Sequence, residues 1–424
     1  MKMTSLLELS PEVLQNVAVF LSVDDLCQLR LTCSYLRDVC DLESVWSSRV
    51  KDDFGYKEAI DGEDGVTVRS FYQKLLYKHK YLFSEGSPSY WQRTDLPHYG
   101  GLIRARICGK KKAILLDNLL APKDIYDDLK DVNFLQIQIN SRHEIVIKNQ
   151  DSFTFNVPPT LKEGEDVEGG VNLNIIYQEI PDVTTSPADW RKLLTSFADT
   201  DSTDDPELGL MKFVTHYHSR AFLTFTPAFT SAWTLSSHCG HQSASSILQS
   251  IPPGLFKGTY VAHGVELIHV LDGQGVKVTG DPNVPFQKIT FRVTHPKRLD
   301  LTPDQQRSSD EINTIVEGIA DQFFPNNFEN PFVEDDDDRE SFPFHVPDNM
   351  RERQEIRHRE CRGRWAAEAQ IAGHMYQHPE FIPANLIIFN DDQIAVMFLG
   401  FLNSISIYHR ANLMPTSGSK EPDE

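Results

Sequence analysis

The first 46 residues constrain the fold most, because they carry the signals of three short helices in close succession. Ser10 stands where a helix N-cap is expected, and Pro11 and Glu12 follow it. Proline is favoured in a first helical turn, and a carboxylate there interacts favourably with the helix dipole. Apolar residues then recur at helical spacing, at Val13, Leu14, Val17, Phe20 and Leu21. The pattern predicts a first amphipathic helix.

The same segment predicts two more helices. Asp24 and Asp25 begin the second, and Trp46 closes the unit. A bundle of fewer than about 50 residues rarely buries enough surface to be stable alone. We therefore expect some of its apolar residues to contact a partner protein. The apolar residues of the second and third helices are Leu26, Leu29, Leu31, Cys33, Leu36, Val39 and Cys40.

The order of these motifs resembles the F-box family: LELSPEVL, then VDDLCQLRLTCSYLR, then Ser-Val-Trp. The resemblance implies docking on the Skp adaptor of a cullin-RING ubiquitin ligase. The chain would then select substrates while the chemistry takes place elsewhere in the complex, so we expect no enzyme. The residues expected to contact the adaptor are Leu7, Leu9, Pro11, Glu12, Leu14, Phe20, Leu21, Leu26, Leu29, Leu36 and Trp46.

From Tyr90 onward the sequence changes character. Short runs with β-branched residues, such as residues 100–108 and 287–295, alternate with Gly, Pro and Asp. This texture predicts an antiparallel β-domain. A barrel is favoured because closure removes exposed strand edges, and a sandwich is the alternative. The expected fold class is therefore α+β, with a small all-helical F-box before a large, mainly antiparallel, barrel-like domain.

The expected domain boundaries follow changes in composition. A tract with EDDDDRE and several prolines predicts a disordered acidic linker, and a basic stretch follows it. The divisions are an F-box over 1–50, a helical connector over 51–88, the first part of the β-domain over 89–325, the linker over 326–349, a basic helix with the closing strands over 350–412, and a disordered tail over 413–424.

Charge and cysteine usage exclude several kinds of partner. The net charge of −20 argues against nucleic acid, since a phosphate backbone would be repelled. No apolar stretch reaches about 18 residues, so we expect no membrane partner. The six cysteines are scattered without a C-x-x-C pair, which is typical of reduced thiols. We expect a cytoplasmic protein that can also be nuclear.

Turn residues are densest over 251–285. Asp272-Gly273-Gln274-Gly275 predicts a hairpin between a strand over 258–271 and a second strand over 275–281. Here PGLFKGTY (253–260) and KVTGDPNVP (277–285) resemble the F-box only protein 31 family. Shorter matches are YGGLI (99–103), LMKF (210–213), IAGH (371–374) and ISIYHR (405–410). The resemblance implies a barrel that binds the C-terminal ends of target proteins, including cyclin D and proteins that end in a carboxamide.

The residues of this region can be assessed against that role. Lys257, Lys277 and His263 could donate hydrogen bonds to terminal oxygens. Asp281 could accept from a carboxamide and repel a carboxylate if it faces a pocket; alternatively, it caps its own turn. The full set of expected substrate-binding residues is Gly254, Phe256, Lys257, Gly258, Tyr260, His263, Lys277, Thr279 and Asp281.

Metal and catalytic motifs are weak. Vertebrate members of the resembled family carry Cys and His suited to zinc in an early β-domain loop, where this chain has only His143 within 141–180. His216, His218, His238, Cys239 and His241 form a second cluster, but it lacks the paired spacing of structural zinc sites. We therefore expect no metal and no cofactor, and no catalytic signature occurs. A lipocalin-like barrel for small ligands, with an F-box-like interaction module, is the alternative function; it requires a mostly apolar lining.

Overall fold

Within the described residues, the chain forms six α-helices and two eight-stranded β-units. The computed structural model describes residues 6–60, 65–83, 86–93, 98, 100–122, 124–140, 142–149, 160–167, 170–176, 222–227, 251–259, 264–320, 331–333, 340–350, 356–400 and 402–413. Within these ranges no helix is long and apolar enough to cross a membrane.

The predicted F-box helices are confirmed as α1 (Pro11–Phe20), α2 (Val23–Arg30) and α3 (Ser34–Cys40). Ser10 caps α1, since its Oγ accepts a bond from the Val13 amide. A fourth helix, α4 (Glu43–Phe54), was not separated from the unit by sequence. Trp46 lies inside it, fully buried, and its indole N–H donates to the Cys40 carbonyl oxygen at 2.8 Å.

The predicted helical connector over 51–88 is only partly helical. After Gly55, whose φ of +66° ends α4, residues 56–60 and 65–67 are irregular. Helix α5 (Val68–Ser70) then continues as a π-helical turn over Phe71–Leu76, and a short 3-10 turn covers Lys80–Phe83. These turns bury their apolar side chains against the sheet that follows.

An open antiparallel sheet of eight strands follows the helices. Its spatial order is β5-β4-β3-β2-β1-β8-β7-β6. One face packs on the helical unit, so that Trp46 and Phe71 share a core with Ile103, Ile114 and Ile137. The strands are β1 (Ser89–Arg93), β2 (Leu102–Cys108), β3 (Ala113–Leu120), β4 (Lys130–Ile139), β5 (Ile145–Asn149), β6 (Thr160–Val167), β7 (Gly170–Ile176) and β8 (Phe222–Pro227).

The predicted barrel is confirmed as a separate, closed unit of eight strands in the order β10-β11-β12-β15-β16-β17-β18-β9. The described part of the β-region therefore consists of two large sheets and one two-stranded pair. The barrel strands are β9 (Gly254–Thr259), β10 (Val265–Leu271), β11 (Gln274–Lys277), β12 (Ile289–Arg298), β15 (Gly363–Gly373), β16 (Gln377–Ile388), β17 (Gln393–Phe398) and β18 (Ser404–Arg410). The short strands β13 (Phe342–Pro343) and β14 (Glu360–Cys361) pair with each other outside the barrel.

The hairpin at Asp272–Gly275 is confirmed between β10 and β11. The single strand expected over 258–271 is wrong, because β9 ends at Thr259 and β10 begins at Val265. The turn between β16 and β17 contains Asp391 and Asp392.

Large side chains fill the barrel interior. Phe256, Phe291, Trp365 and Tyr408 are buried together there with aliphatic residues of the other strands. Gly258 faces the Tyr408 ring so closely that an added Cβ would overlap it. Small residues opposite large ones thus produce the dense packing of a protein core.

Two boundary predictions after residue 325 are wrong. Residues 331–333 and 340–350 of the expected disordered linker are ordered, and they bury Val333, Phe342, Phe344 and Met350 with helix α6 (Ser309–Ala320) on the outer barrel wall. Apolar side chains between the acids and prolines stabilise this segment despite its charge. Residues 326–330 and 334–339 lie outside the described residues.

The basic helix expected from residue 350 is also wrong where the structure describes it. Residues 360–361 and 363–373 are strands β14 and β15. Consecutive side chains alternate between the two faces of β15, as in a strand: Trp365 points into the barrel, while Arg364 lies buried on the outside. Leu413, in the expected tail, is half-buried and accepts a bond from the Tyr90 hydroxyl at 3.0 Å, whereas residues 414–424 lie outside the described part of the chain.

Candidate functional site

The helical unit exposes a group of apolar side chains. The exposed fraction is 53% for Leu7, 88% for Phe20 and 67% for Leu31. Val13 and Val17 on α1 are exposed as well, and neither they nor Leu31 were among the predicted contacts. Val13, Val17 and Phe20 share one face of α1 by helical spacing, and exposed large apolar side chains of this kind mark an interaction site. We call Leu7, Val13, Val17, Phe20 and Leu31 the docking face.

The other predicted adaptor contacts divide into two groups. Pro11 and Glu12 are exposed, and Leu9, Leu21 and Leu29 are half-buried, so these five are accessible from the surface. Leu14, Leu26, Leu36 and Trp46 are buried in the chain's own core, so their prediction as contacts is wrong. Helical spacing identifies an apolar residue without telling which neighbour will cover it.

Hydrogen bonds fix the turn that precedes α1. The Tyr35 hydroxyl on α3 donates to the Leu9 carbonyl oxygen at 3.2 Å. Asp41 joins Arg30 of α2 (2.7 Å) to Arg69 of α5 (2.5 Å). These contacts tie the F-box helices to one another and to the connector, which holds the docking face in place.

A buried cluster of three charged groups lies at one end of the barrel. The Lys277 ammonium is 2.6 Å from Glu266 Oε2 and 2.5 Å from Asp281 Oδ2. All three residues are less than 5% exposed. Lys277 lies opposite Ile268, whose side chain belongs to the interior core, and Glu266 is two residues before Ile268 on β10. Alternation therefore directs Glu266 and Lys277 to the interior side of the sheet.

Asp281 has two roles in this cluster. Its Oδ1 accepts from the backbone amides of Asn283 at 2.6 Å and Val284 at 2.8 Å, and its Oδ2 accepts from Lys277. The turn-capping alternative is therefore the one that the structure supports. The prediction that Asp281 presents an open carboxylate to a pocket is wrong, because both oxygens already have donors.

Burial and the neighbouring charges together shift the pKa values of Glu266 and Lys277. Burial raises the pKa of Glu266 to about 8; the charge of Lys277 opposes this shift, and the charge of Asp281 adds to it. Burial alone would lower the pKa of Lys277, but Glu266 and Asp281 outweigh it and raise that pKa. In the folded chain Glu266 therefore keeps its proton to a higher pH than an ordinary glutamic acid does, and Lys277 keeps its positive charge.

Sequence reasoning missed Glu266. The signal was present, since Glu266, Ile268 and Val270 share one face of β10 and a carboxyl interrupts an otherwise apolar phase. A charged residue in the buried phase of a strand indicates either a paired structural charge or a functional site.

Lys257 is not part of the cluster. It lies opposite Leu267, whose side chain faces the open sheet, and its ammonium donates to the Asp127 carbonyl oxygen in the loop between β3 and β4. Burial lowers its pKa, while the nearby aspartates oppose that shift. Its neighbour His409 stacks edge-on against Tyr126 with ring centroids 4.7 Å apart. Lys257 therefore joins the barrel to the sheet, and its prediction as a substrate donor is wrong.

The remaining predicted residues are spread along the barrel. Gly254 lies four residues from Gly258 on β9, about 13 Å at a strand rise of ~3.3 Å per residue. At the Gly254 end, Arg410 donates to the Pro253 carbonyl oxygen at 2.9 Å and lies over the Phe256 ring. At the other end, Thr279 Oγ1 accepts from the Leu267 amide at 2.8 Å. Tyr260 and His263 lie outside the described residues.

A strained turn borders the cluster. Where the chain turns from β15 into β16, Met375, Tyr376 and the β16 residue His378 have φ values of +59°, +57° and +48°. Side chains with a Cβ rarely adopt this left-handed region, and residues held there often lie at functional sites. The Tyr376 amide donates to the Pro282 carbonyl oxygen at 3.1 Å, immediately after Asp281. We call His374–His378 the rim turn; sequence reasoning did not identify it.

The structure also bears on metals and small ligands. The described residues contain no group of three or more His, Cys, Asp or Glu side chains placed to hold a metal ion. The candidate ligands His216, His218, His238, Cys239 and His241 lie outside the described residues. A lipocalin-like ligand would compete with Phe256, Phe291, Trp365 and Tyr408 for the barrel interior, so the packing gives that alternative no support.

Comparison with known proteins gives two family matches. Residues 9–52 match the F-box-like family, and residues 239–414 match the Cyclin D1 binding domain. The chain is similar over 96% of its length to F-box only protein 31 of Rattus norvegicus, at 26% identity and 84% coverage of that protein. It is likewise similar to F-box only protein 31 of Homo sapiens (25% identity, 83% coverage) and F-box only protein 31-B of Xenopus laevis (26% identity, 83% coverage), each over 96% of this chain.

Proposed function

We propose that the chain is the substrate-recognition subunit of an SCF-type ubiquitin ligase, because its first helices match the F-box-like family and it is similar over 96% of its length to F-box only protein 31. The observation that carries this proposal is the docking face. Its side chains are exposed, although the helices that bear them are well packed on their other side against the sheet. An adaptor of the Skp type would cover this face and link the chain to a cullin-RING ligase.

The role of the chain in ubiquitination is positioning. A receptor that holds a target beside the ubiquitin-loaded enzyme raises the effective concentration of the target's lysines. This requires a docking surface and a target site but no catalytic residue of its own. The five described cysteines are free thiols, which is consistent with action in the cytosol or nucleus.

The target site that we propose is the buried cluster at the barrel end, occupied by the C-terminal residue of a target protein. A terminal carboxylate only accepts hydrogen bonds, whereas a terminal carboxamide both donates and accepts. Lys277 supplies donors, and the carboxyl of Glu266 supplies an acceptor. Asp281 acts as a positioning residue, since it holds Lys277 and orders the adjoining turn. Cyclin D-type proteins are candidate targets, because the family that matches the barrel region is named for cyclin D1 binding.

The test is peptide binding to the full chain in complex with the adaptor. Two fluorescent peptides would carry the last twelve residues of cyclin D1, one as the free acid and the other as the amide. Fluorescence polarisation should show binding of at least one form to the wild type. Lys277→Met should abolish it, because a buried polar contact to the terminal group is lost.

Lys288→Met is the matched control. Lys288 is exposed and lies over the Tyr376 ring at 5.3 Å, outside the buried cluster, so this variant should bind as the wild type does. If Lys277→Met stays folded in a thermal unfolding scan and still binds with wild-type affinity, the proposed target site is wrong.

A further inference from the structure

Arg364 on β15 is a buried cation that has no acidic partner among the described residues. Its side chain is 1% exposed, and all three guanidinium nitrogens are shielded from solvent. On the outer barrel wall it lies opposite Ile387 of β16, which belongs to the apolar cluster beneath α6. An unpaired charge in such surroundings costs a large free energy, so a buried arginine normally has an anion beside it.

The chain's own groups leave most of the donors of Arg364 unused. The Cys361 sulfur accepts a hydrogen bond from the guanidinium and another from the Gly363 amide, and of the described titratable side chains it alone acts on Arg364. Sulfur is a weak acceptor and cannot satisfy five N–H groups. The Phe344 ring lies 5.2 Å from the guanidinium carbon, where it attracts the cation but accepts only weak hydrogen bonds. No oxygen acceptor for Nε, Nη1 or Nη2 occurs within the described part of the chain.

Two short strands cover the guanidinium. β13 and β14 pair through Phe342 and Cys361, and the Phe344 amide extends the pair by donating to the Arg359 carbonyl oxygen at 2.8 Å. Phe344 also meets Phe389 edge-on, with ring centroids 5.0 Å apart. A side chain of a partner protein cannot reach a guanidinium that this cover shields from solvent. An anion that neutralises the buried charge must therefore be small.

We propose that Arg364, Cys361 and Phe344 line a binding site for a monovalent inorganic anion, with chloride as the candidate. The N–H groups of Arg364 donate to the ion, and its single negative charge neutralises the guanidinium. A divalent anion such as sulfate would leave a net negative charge inside an apolar cluster, which is unfavourable for the same reason as an unpaired arginine. The bound ion stabilises the contact between the β13–β14 pair and the barrel wall.

The test compares thermal unfolding of the full chain in potassium chloride and in potassium gluconate at equal ionic strength, because gluconate is too large for an enclosed site. An ion that binds only the folded chain raises its unfolding midpoint. The two salts also differ in their general effect on stability, so each variant is compared with the wild type in the same salt. Arg364→Met replaces the cation with an apolar chain of similar length. The midpoint of the wild type minus that of Arg364→Met should be about 2 °C greater in chloride than in gluconate.

Arg362→Met is the matched control. Arg362 lies two residues earlier, is half-exposed and pairs with Asp391 at 2.5 Å, so this variant should follow the wild type in both salts. If the wild type and Arg364→Met differ by the same amount in both salts, the proposed site is wrong.

Crystals of the wild-type chain grown in sodium bromide give a second test that needs no variant. An anomalous diffraction peak is expected at hydrogen-bond distance from the Arg364 guanidinium. The absence of a peak there, whether bromide binds elsewhere or nowhere, would overturn the proposal.

Discussion

Removal of the Phe20 ring gives the sharpest test of the docking face. Phe20 is the last residue of α1, and 88% of it is exposed. The ring therefore contributes almost nothing to the stability of the isolated chain. If the adaptor covers the docking face, nearly all of that surface leaves water only in the complex.

The expected loss follows from the burial of one aromatic side chain. Complete burial of a Phe side chain contributes about 1.5–3 kcal/mol, and each ~1.4 kcal/mol changes an affinity tenfold. Phe20→Ala should therefore weaken adaptor binding by about 10- to 100-fold, as measured by surface plasmon resonance with immobilised Skp adaptor. The thermal unfolding midpoint of the isolated chain should not change.

Two comparison variants make this result specific. Tyr126→Ala removes a second aromatic side chain that is 65% exposed but lies in the loop after β3, outside the docking face, and should leave adaptor affinity unchanged. Leu26→Ala removes a fully buried side chain and should cost about 2–5 kcal/mol of folding stability. If Phe20→Ala binds the adaptor with wild-type affinity and cannot be distinguished from Tyr126→Ala, the assignment of this surface is refuted.

Two further predictions concern the barrel. The folded state raises the pKa of Glu266 from 4.5 to about 8, so the folded chain holds a proton on Glu266 that the unfolded chain releases. The contribution of this protonated group to folding stability is complete below about pH 4.5. It is lost as the pH rises toward 8, at up to ~1.4 kcal/mol per pH unit. Glu266→Gln should thus lose less stability than the wild type in unfolding scans from pH 5 to pH 9, and parallel curves would contradict the argument. Gly258→Ala should destabilise the chain by about 1–3 kcal/mol, since its Cβ would overlap the buried Tyr408 ring. The control is Gly373→Ala, whose Cβ would lie 3.3 Å from the nearest atom. Equal midpoints of urea unfolding for the two variants would count against tight packing at Gly258.

Local signals in the sequence were sufficient for elements whose cause is local. The Ser10 cap and the helical spacing after it specified α1, and the Asp272–Gly275 turn specified the β10–β11 hairpin. The same kind of signal was present but overlooked in α6. Ile312, Ile315 and Ile319 have helical spacing, yet the segment was assigned to the β-domain together with the strands around it.

Which lysine reaches the candidate site could not be read from composition or motif. Lys257 and Lys277 stand in equally glycine-rich segments of the same region. Only the pairing register separates them, because Lys277 lies opposite inward-facing Ile268 and Lys257 lies opposite outward-facing Leu267. A shift of one residue along a strand reverses the face to which a side chain points. Register depends on contacts across the barrel and is not encoded in any short segment.

The same long-range contacts determine how the two ends of the receptor are related. Ala18 and Leu26 of the F-box belong to one continuous core with Ile137 of β4, and on the other face of the sheet Leu102 and Leu119 pack against the barrel. The Lys257 ammonium adds a bond from the barrel to the loop after β3. Apolar cores of this kind restrict relative motion more than a linker does. An adaptor bound at the docking face would therefore hold the barrel, and any tail bound at Lys277 and Glu266, at a set distance from the ligase, which is what positioning a target lysine requires.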